Sequence, residues 1–210
     1  MEIVRQEGTS VLSAILRALA VAACLFATAA RAETPAPQSL VAWKLEPDDK
    51  PARYAMVEPS RTNLNIASVV LACESVGDRS VLQLQLYLTD DGPLLPVNAA
   101  RPQLKDEPRA EIAIDGRVFP VSLLFSDDHA VLADGQVENV ASVSDALVDA
   151  MAAGRTMTLR LDLLAEPPGA PAAFDGEAVV DLGGGNGRAA VEAVRRCMAP
   201  ARDRTVGLGG

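Results

Sequence analysis

The chain has 210 residues, 49% of them hydrophobic and 22% charged, with a formal net charge of −9. A body this acidic, with no Lys/Arg stripe to offset it, repels phosphate backbones and anionic headgroups, which argues against nucleic-acid binding. One histidine and no Cys-x-x-Cys spacing leave little from which to build a metal site, and no cofactor is expected.

Residues 1–32 read as a signal peptide. Arg5 and Arg17 precede an apolar run from Ala18 to Ala30, and Ala30-Arg31-Ala32 gives a small-x-small cleavage site before Glu33. A basic start, a short apolar core and such a site are the three parts a signal peptidase reads. The run, broken only by Thr28, is shorter than the roughly 20 residues that span a bilayer as a helix. After cleavage at Ala32 no stable membrane insertion is expected, and the protein is placed in the periplasm or outside the cell. An uncleaved anchor is one alternative. Another is a lipid-anchored envelope lipoprotein, because Val21-Ala22-Ala23-Cys24 fits a loose lipidation pattern. The residues after Cys24 are mostly apolar, however, where a lipoprotein usually continues with a polar tether.

Cleavage leaves residues 33–210, enough for one domain with a core of its own. The leader carries Arg5, Arg17 and Arg31 against Glu2 and Glu7, so its removal takes the formal charge from −9 to −10. Two cysteines survive, Cys73 and Cys197. In an oxidising compartment they most simply form one disulfide; two separately buried thiols are the alternative.

Residues 33–51 hold Pro35, Pro37, Pro47 and Pro51 and read as an extended lead-in, with Trp43 free to tuck onto the domain. A single β-rich domain is expected over 52–198. Leu64 to Cys73 begins by alternating and becomes continuously apolar. Val81 to Leu88 alternates cleanly, with Leu82, Leu84, Leu86 and Leu88 on one face and Gln83, Gln85 and Tyr87 on the other, the pattern of a half-buried strand. Ala110 to Phe125 reads as a hairpin whose Asp115-Gly116 turn supplies the positive φ angles of type I′, which sets Ile112 opposite Phe119. Pro120 lacks an amide proton and belongs at an edge or bulge. His129 to Ala133 reads as a further short strand.

Ser142 to Gly154 is the first helix, capped by Ser142 or Ser144, with Leu147, Val148 and Met151 on its apolar face and Gly154 ending it. Arg155 to Leu164 alternates again, placing Met157, Leu159, Leu161 and Leu163 together. After Pro167, Pro168 and Pro171 come a last strand, Phe174 to Leu182, a glycine turn, and a short helix from Arg188 to about Cys197. Residues 199–210 read as a flexible tail. Six or seven short strands and two small helices point to an antiparallel sandwich or barrel-like domain, with the bridge tying an early strand to the last helix.

Val179-Val180-Asp181-Leu182-Gly183-Gly184-Gly185-Asn186-Gly187 matches the first motif of Rossmann-fold methyltransferases, in which a glycine loop lets the backbone approach S-adenosylmethionine. The local strand–loop–helix context fits that alternative. The global context does not: only a short stretch follows Gly187, and the chain upstream reads antiparallel. A glycine turn before a terminal helix is the plainer reading. His129 beside Asp127-Asp128 suggests an acid–base pair, but nothing singles out a nucleophile, so no catalytic residue is assigned. Asp90-Asp91 and Asp127-Asp128 could offer oxygen ligands to calcium, yet lack the carboxylate spacing of a known loop. The few aromatics are too scattered to form a stacking platform.

The helix and strand over Leu147–Leu164 (LVDAMAAGRTMTLRLDLL), in which a short helix ends in Ala-Gly-Arg-Thr and feeds a hydrophobic strand, resemble the invasion-associated locus B-like exported bacterial proteins. The Ile112-Ala113-Ile114-Asp115-Gly116 turn is similar to theirs as well. The likeness covers about half the mature chain. It implies a periplasmic or secreted, non-enzymatic, sandwich-like protein of poorly defined role; apart from the likeness, the expected partner is an unknown protein or small ligand in the envelope. The chain departs from that family in its cysteines: the family carries an early pair and a later pair, and Cys73 and Cys197 match neither.

Overall fold

Two long hairpins organise the domain. A computed structural model describes residues 42–46, 51–90, 92–97, 99 and 103–198, all within the unit Ser39–Gly210. The expectations for the leader with its Cys24 alternative, for 33–41 and 47–50 of the lead-in, and for the tail lie outside the described residues. The strands are β1 (Lys44–Leu45), β2 (Tyr54–Val57), β3 (Arg61–Thr62), β4 (Ile66–Val76), β5 (Arg79–Leu88), β6 (Leu104–Ile114), β7 (Arg117–Phe125), β8 (His129–Ala133), β9 (Gly135–Val137), β10 (Val140–Ser142), β11 (Thr156–Leu164) and β12 (Gly176–Asp181). The helices are α1 (Asp145–Ala153) and α2 (Gly187–Arg195), the latter followed by a 3₁₀ turn, Arg196–Met198.

Ten strands form one curled sheet in the order β1-β2-β4-β5-β8-β7-β6-β11-β12-β3, and among the described residues every pairing is antiparallel. The β9–β10 pair stands apart from it. The fold is therefore a half-barrel rather than two stacked sheets. The register shifts at Ile66/Ser68 in β4 and at Asp162/Leu164 in β11.

The β6–β7 hairpin has the register its sequence dictates. Asp115 and Gly116 take φ 47° and 89°, and Ile112 faces Phe119. Asp115 also accepts hydrogen bonds from the amides of Arg155 and Thr156, so this turn sets where β11 begins. Pro120 lies opposite Glu111. Antiparallel alternation turns its nitrogen away from β6, toward a stretch where β8 has not yet begun to pair, since β8 joins β7 only from Ser122 onward. The missing donor thus falls at a local edge inside a large sheet.

Leu82, Leu84, Leu86, Leu71, Ile112, Leu159 and Leu161 line the inner face and are fully buried. Leu147, Val148 and Met151 of α1 and Ala190, Val191 and Val194 of α2 join the same core, so the two helices fill the concave side. Ser144 caps α1 by accepting from the amide of Leu147. Gly154 ends α1, as expected, and packing requires a glycine there. Its φ is −78°, and a Cβ there would lie 2.5 Å from Ile114 Cγ2.

One expectation needs correction. The β5 strand is buried on both faces, not half-buried: Gln83 and Gln85 are 9% and 3% exposed. Gln85 donates to Gln83 Oε1 and Glu74, Tyr87 donates to Gln85, and Gln83 donates to the carbonyl of Ala141, so the burial leaves no amide unsatisfied. The described part of the lead-in lies along the domain, with Trp43 tucked onto it. Lys44–Leu45 pairs with β2, and Trp43, 2% exposed, donates from its indole to the carbonyl of Asp181.

Candidate functional site

The half-barrel's two ends differ. The helices and the bridge sit at the end holding Cys73, Leu82 and Ile114. At the other end, inward-facing positions run past the core to an opening of about 810 Å³ lined by Leu88, Pro93, Leu94, Leu104, Phe125 and Ala130, among others. Pairing between β6 and β7 stops at Ala110–Val121. Beyond it β6 stays with β11 as far as Leu104–Leu164, while Ser122–Phe125 of β7 stays with β8. The two strands part, and their ends bring Leu104 and Phe125 to the mouth, 40% and 59% exposed. Large apolar side chains so placed at a barrel mouth are the usual lining of a small-molecule site.

Charged groups fix the Leu104 side. Asp162, on the outer face of β11 and fully buried, accepts from Lys105 and takes a two-pronged contact from Arg109, at 2.7 Å from Nε and 2.5 Å from Nη2. Lys105 also reaches Glu166 at 2.7 Å, and Arg109 lies over the ring of Phe174. Burial works against the charge on Asp162, but hydrogen bonds from Lys105 and Arg109 outweigh it and hold the carboxyl below the ordinary range. Burial likewise opposes the Lys105 charge, and its two carboxylate acceptors raise it above an ordinary lysine. Glu166 is lowered chiefly by its hydrogen bond from Lys105. The cluster pins the first half of β6, a segment too polar to be held by packing, and the proline-rich stretch after β11.

The rim is acidic. Asp90, Asp127 and Asp128 border the opening, with no Lys or Arg among its described lining residues. Asp128 lies 2.6 Å from Nδ1 of His129, whose ring stacks on Tyr87 at 5.3 Å. Burial, then the charges of Asp128, Tyr54 and Glu74, raise the Tyr87 hydroxyl above its ordinary pKa. The acid–base pair suggested by sequence is thus assembled. Among the described residues the other ring nitrogen of His129 makes no hydrogen bond to a hydroxyl or thiol. Asp90 and the Asp127-Asp128 pair do border one opening, but among the described residues no three His, Cys, Asp or Glu side chains are grouped to hold a metal ion.

The glycine motif serves packing. Its strand, β12, lies antiparallel between β11 and β3, outside any parallel strand–helix–strand unit. Asp181 accepts from the amide of Gly184 at 2.7 Å, and Asn186 donates to the carbonyl of Trp43. A Cβ on Gly187 would lie 2.2 Å from the carbonyl oxygen of Leu182 and 3.2 Å from Trp43 Nε1. Around Gly187 the near neighbours are thus Trp43 and the motif's own backbone.

Cys73 on β4 and Cys197 in the 3₁₀ turn form a disulfide, with Cα atoms 6.5 Å apart. It fastens the C-terminal helix to the sheet, as the pairing of an early strand with the last helix required. Sequence reasoning missed the mouth. The available signal was Leu124-Phe125 running straight into Ser126-Asp127-Asp128, an apolar pair at a strand end with an acidic turn behind it. No described helix is long and apolar enough to cross a membrane. Comparisons with protein-family models, curated proteins and solved structures return no match for this chain.

Proposed function

We propose that this is an exported envelope protein, periplasmic or secreted, that binds an apolar group at the mouth of its half-barrel and performs no chemistry of its own. The observation that carries the binding reading is the opening where β6 and β7 part, with Leu104 and Phe125 exposed above a fully buried core. A large apolar side chain left in water at a concave site gains by taking up an apolar partner, by about 25 cal/mol per Å² covered. The compartment is supported by the three-part leader and by a disulfide that closes most of the domain, since such bridges persist where thiols oxidise. The likeness of 112–116 and 147–164 to the invasion-associated locus B-like proteins points the same way.

The test uses the mature chain and phenylnaphthylamine, a neutral dye that brightens in apolar sites. Saturable brightening that Phe125→Ser and Leu104→Ser each abolish, with melting temperatures unchanged, is the expected result. Brightening that survives both substitutions would move the site elsewhere and overturn the proposal.

A further inference from the structure

The mouth and its rim together define a ligand more narrowly than "apolar". Resting on the binding reading above, we infer that the opening selects a small organic cation: an apolar chain or ring that ends in an ammonium group. The volume, about 810 Å³, lies within the range that small-molecule sites occupy. Its floor is Leu88, Leu94 and Ala130, and its walls carry Leu104 and Phe125. An apolar body seated there leaves its head at the rim, beside Asp127 and Asp128 on the β7–β8 turn and Asp90 after β5.

These carboxylates are available to different degrees. Asp90 accepts from Asn65 and Thr89, which hold its orientation without cancelling its charge. Asp128 shares one oxygen with His129. Asp127 is exposed and accepts no hydrogen bond among the described residues. Lys105, next to Leu104 in sequence, is turned away to Asp162 and Glu166, so its ammonium does not neutralise the rim. A cationic head meets a complementary field, a neutral head meets none, and an anionic head is repelled. Phe125 adds a ring face to which an ammonium is attracted.

The experiment displaces bound phenylnaphthylamine from the mature protein with three surfactants of one chain length, each below its micelle concentration: an alkyl trimethylammonium, an alkyl maltoside and an alkyl sulfate. The trimethylammonium is expected to displace the dye at a concentration about five-fold lower than the maltoside, as suits partly screened surface charges, with the sulfate weakest. Asp127→Asn with Asp128→Asn should bring the cation to the maltoside's level, read as the ratio of the two so that any change in dye affinity cancels. Equal displacement by all three overturns the inference and leaves the binding reading standing. Displacement by a basic apolar peptide but by none of the surfactants also overturns it, in favour of a polypeptide laid between β6 and β7. Failure of the dye itself to bind sinks the binding reading instead.

Discussion

Replacing Cys197 by Ser isolates what the bridge contributes. Cys73 is 2% exposed and stays packed in the core, whereas Cys197 sits half-buried on the last turn, so the substitution removes the cross-link with little loss of packing. The bridge spans 124 residues of sequence. The chain-entropy relation gives a loop of that length about 5 kcal/mol, as an upper value. A domain of this size loses roughly 2–4 °C of melting temperature per kcal/mol, so the variant should melt about 10–20 °C below the parent. Circular dichroism melts of the mature protein at neutral pH, with and without reductant, measure this. Reductant should bring the parent down to the variant and leave the variant where it is. A drop under about 3 °C would refute the entropic reasoning, because a bridge across most of the domain could not then be restraining the unfolded chain. An equal effect of reductant on both proteins would refute the pairing.

Asp162→Asn should cost about 1–2 kcal/mol, since it weakens the charged hydrogen bonds from Lys105 and Arg109 while Lys105 keeps Glu166 and Arg109 stays more than half exposed to water. Because the folded pKa of Asp162 is depressed, its contribution is present above the ordinary carboxylate value and is lost as pH falls through the lower folded value. The parent should therefore lose stability below about pH 4, and the variant should lose less over the same range; parallel acid limbs in urea titrations would contradict the assignment. Leu84→Asp buries an unpaired charge on the sheet's inner face and should unfold the domain; an unchanged melting temperature would mean the register is wrong. Gly187→Ala should lower the melting temperature sharply through its clash with Leu182, and titration calorimetry with S-adenosylmethionine should show no binding to the parent. Micromolar binding of that cofactor, lost in the variant, would restore the methyltransferase reading.

Strands whose apolar residues alternate were legible from the sequence to within a few residues, and so was the Asp115-Gly116 turn, because one rule of local geometry decides each. Elements held by charge or by distant contacts were not. Lys105 to Arg109 has no apolar period, and it is a strand because Asp162 lies opposite Arg109 on β11. The β9–β10 hairpin turns on Glu138-Asn139, both at positive φ, and not at the Asp134-Gly135 step that begins β9. Gln83 and Gln85 looked solvent-facing because alternation reports only that one face is apolar, and a polar face can be buried once its amides find partners. Away from the mouth, the Cys73–Cys197 pairing was readable from the cysteine count. The mouth was not, since it arises where two paired strands diverge, a property of register that no single segment contains.

Intact mass of the protein recovered from the cell envelope or the medium tests the account most directly. It should correspond to a chain beginning at Glu33 and lacking both thiol hydrogens of Cys73 and Cys197. A full-length chain with two free thiols, recovered from the cytosol, would contradict export and oxidation together.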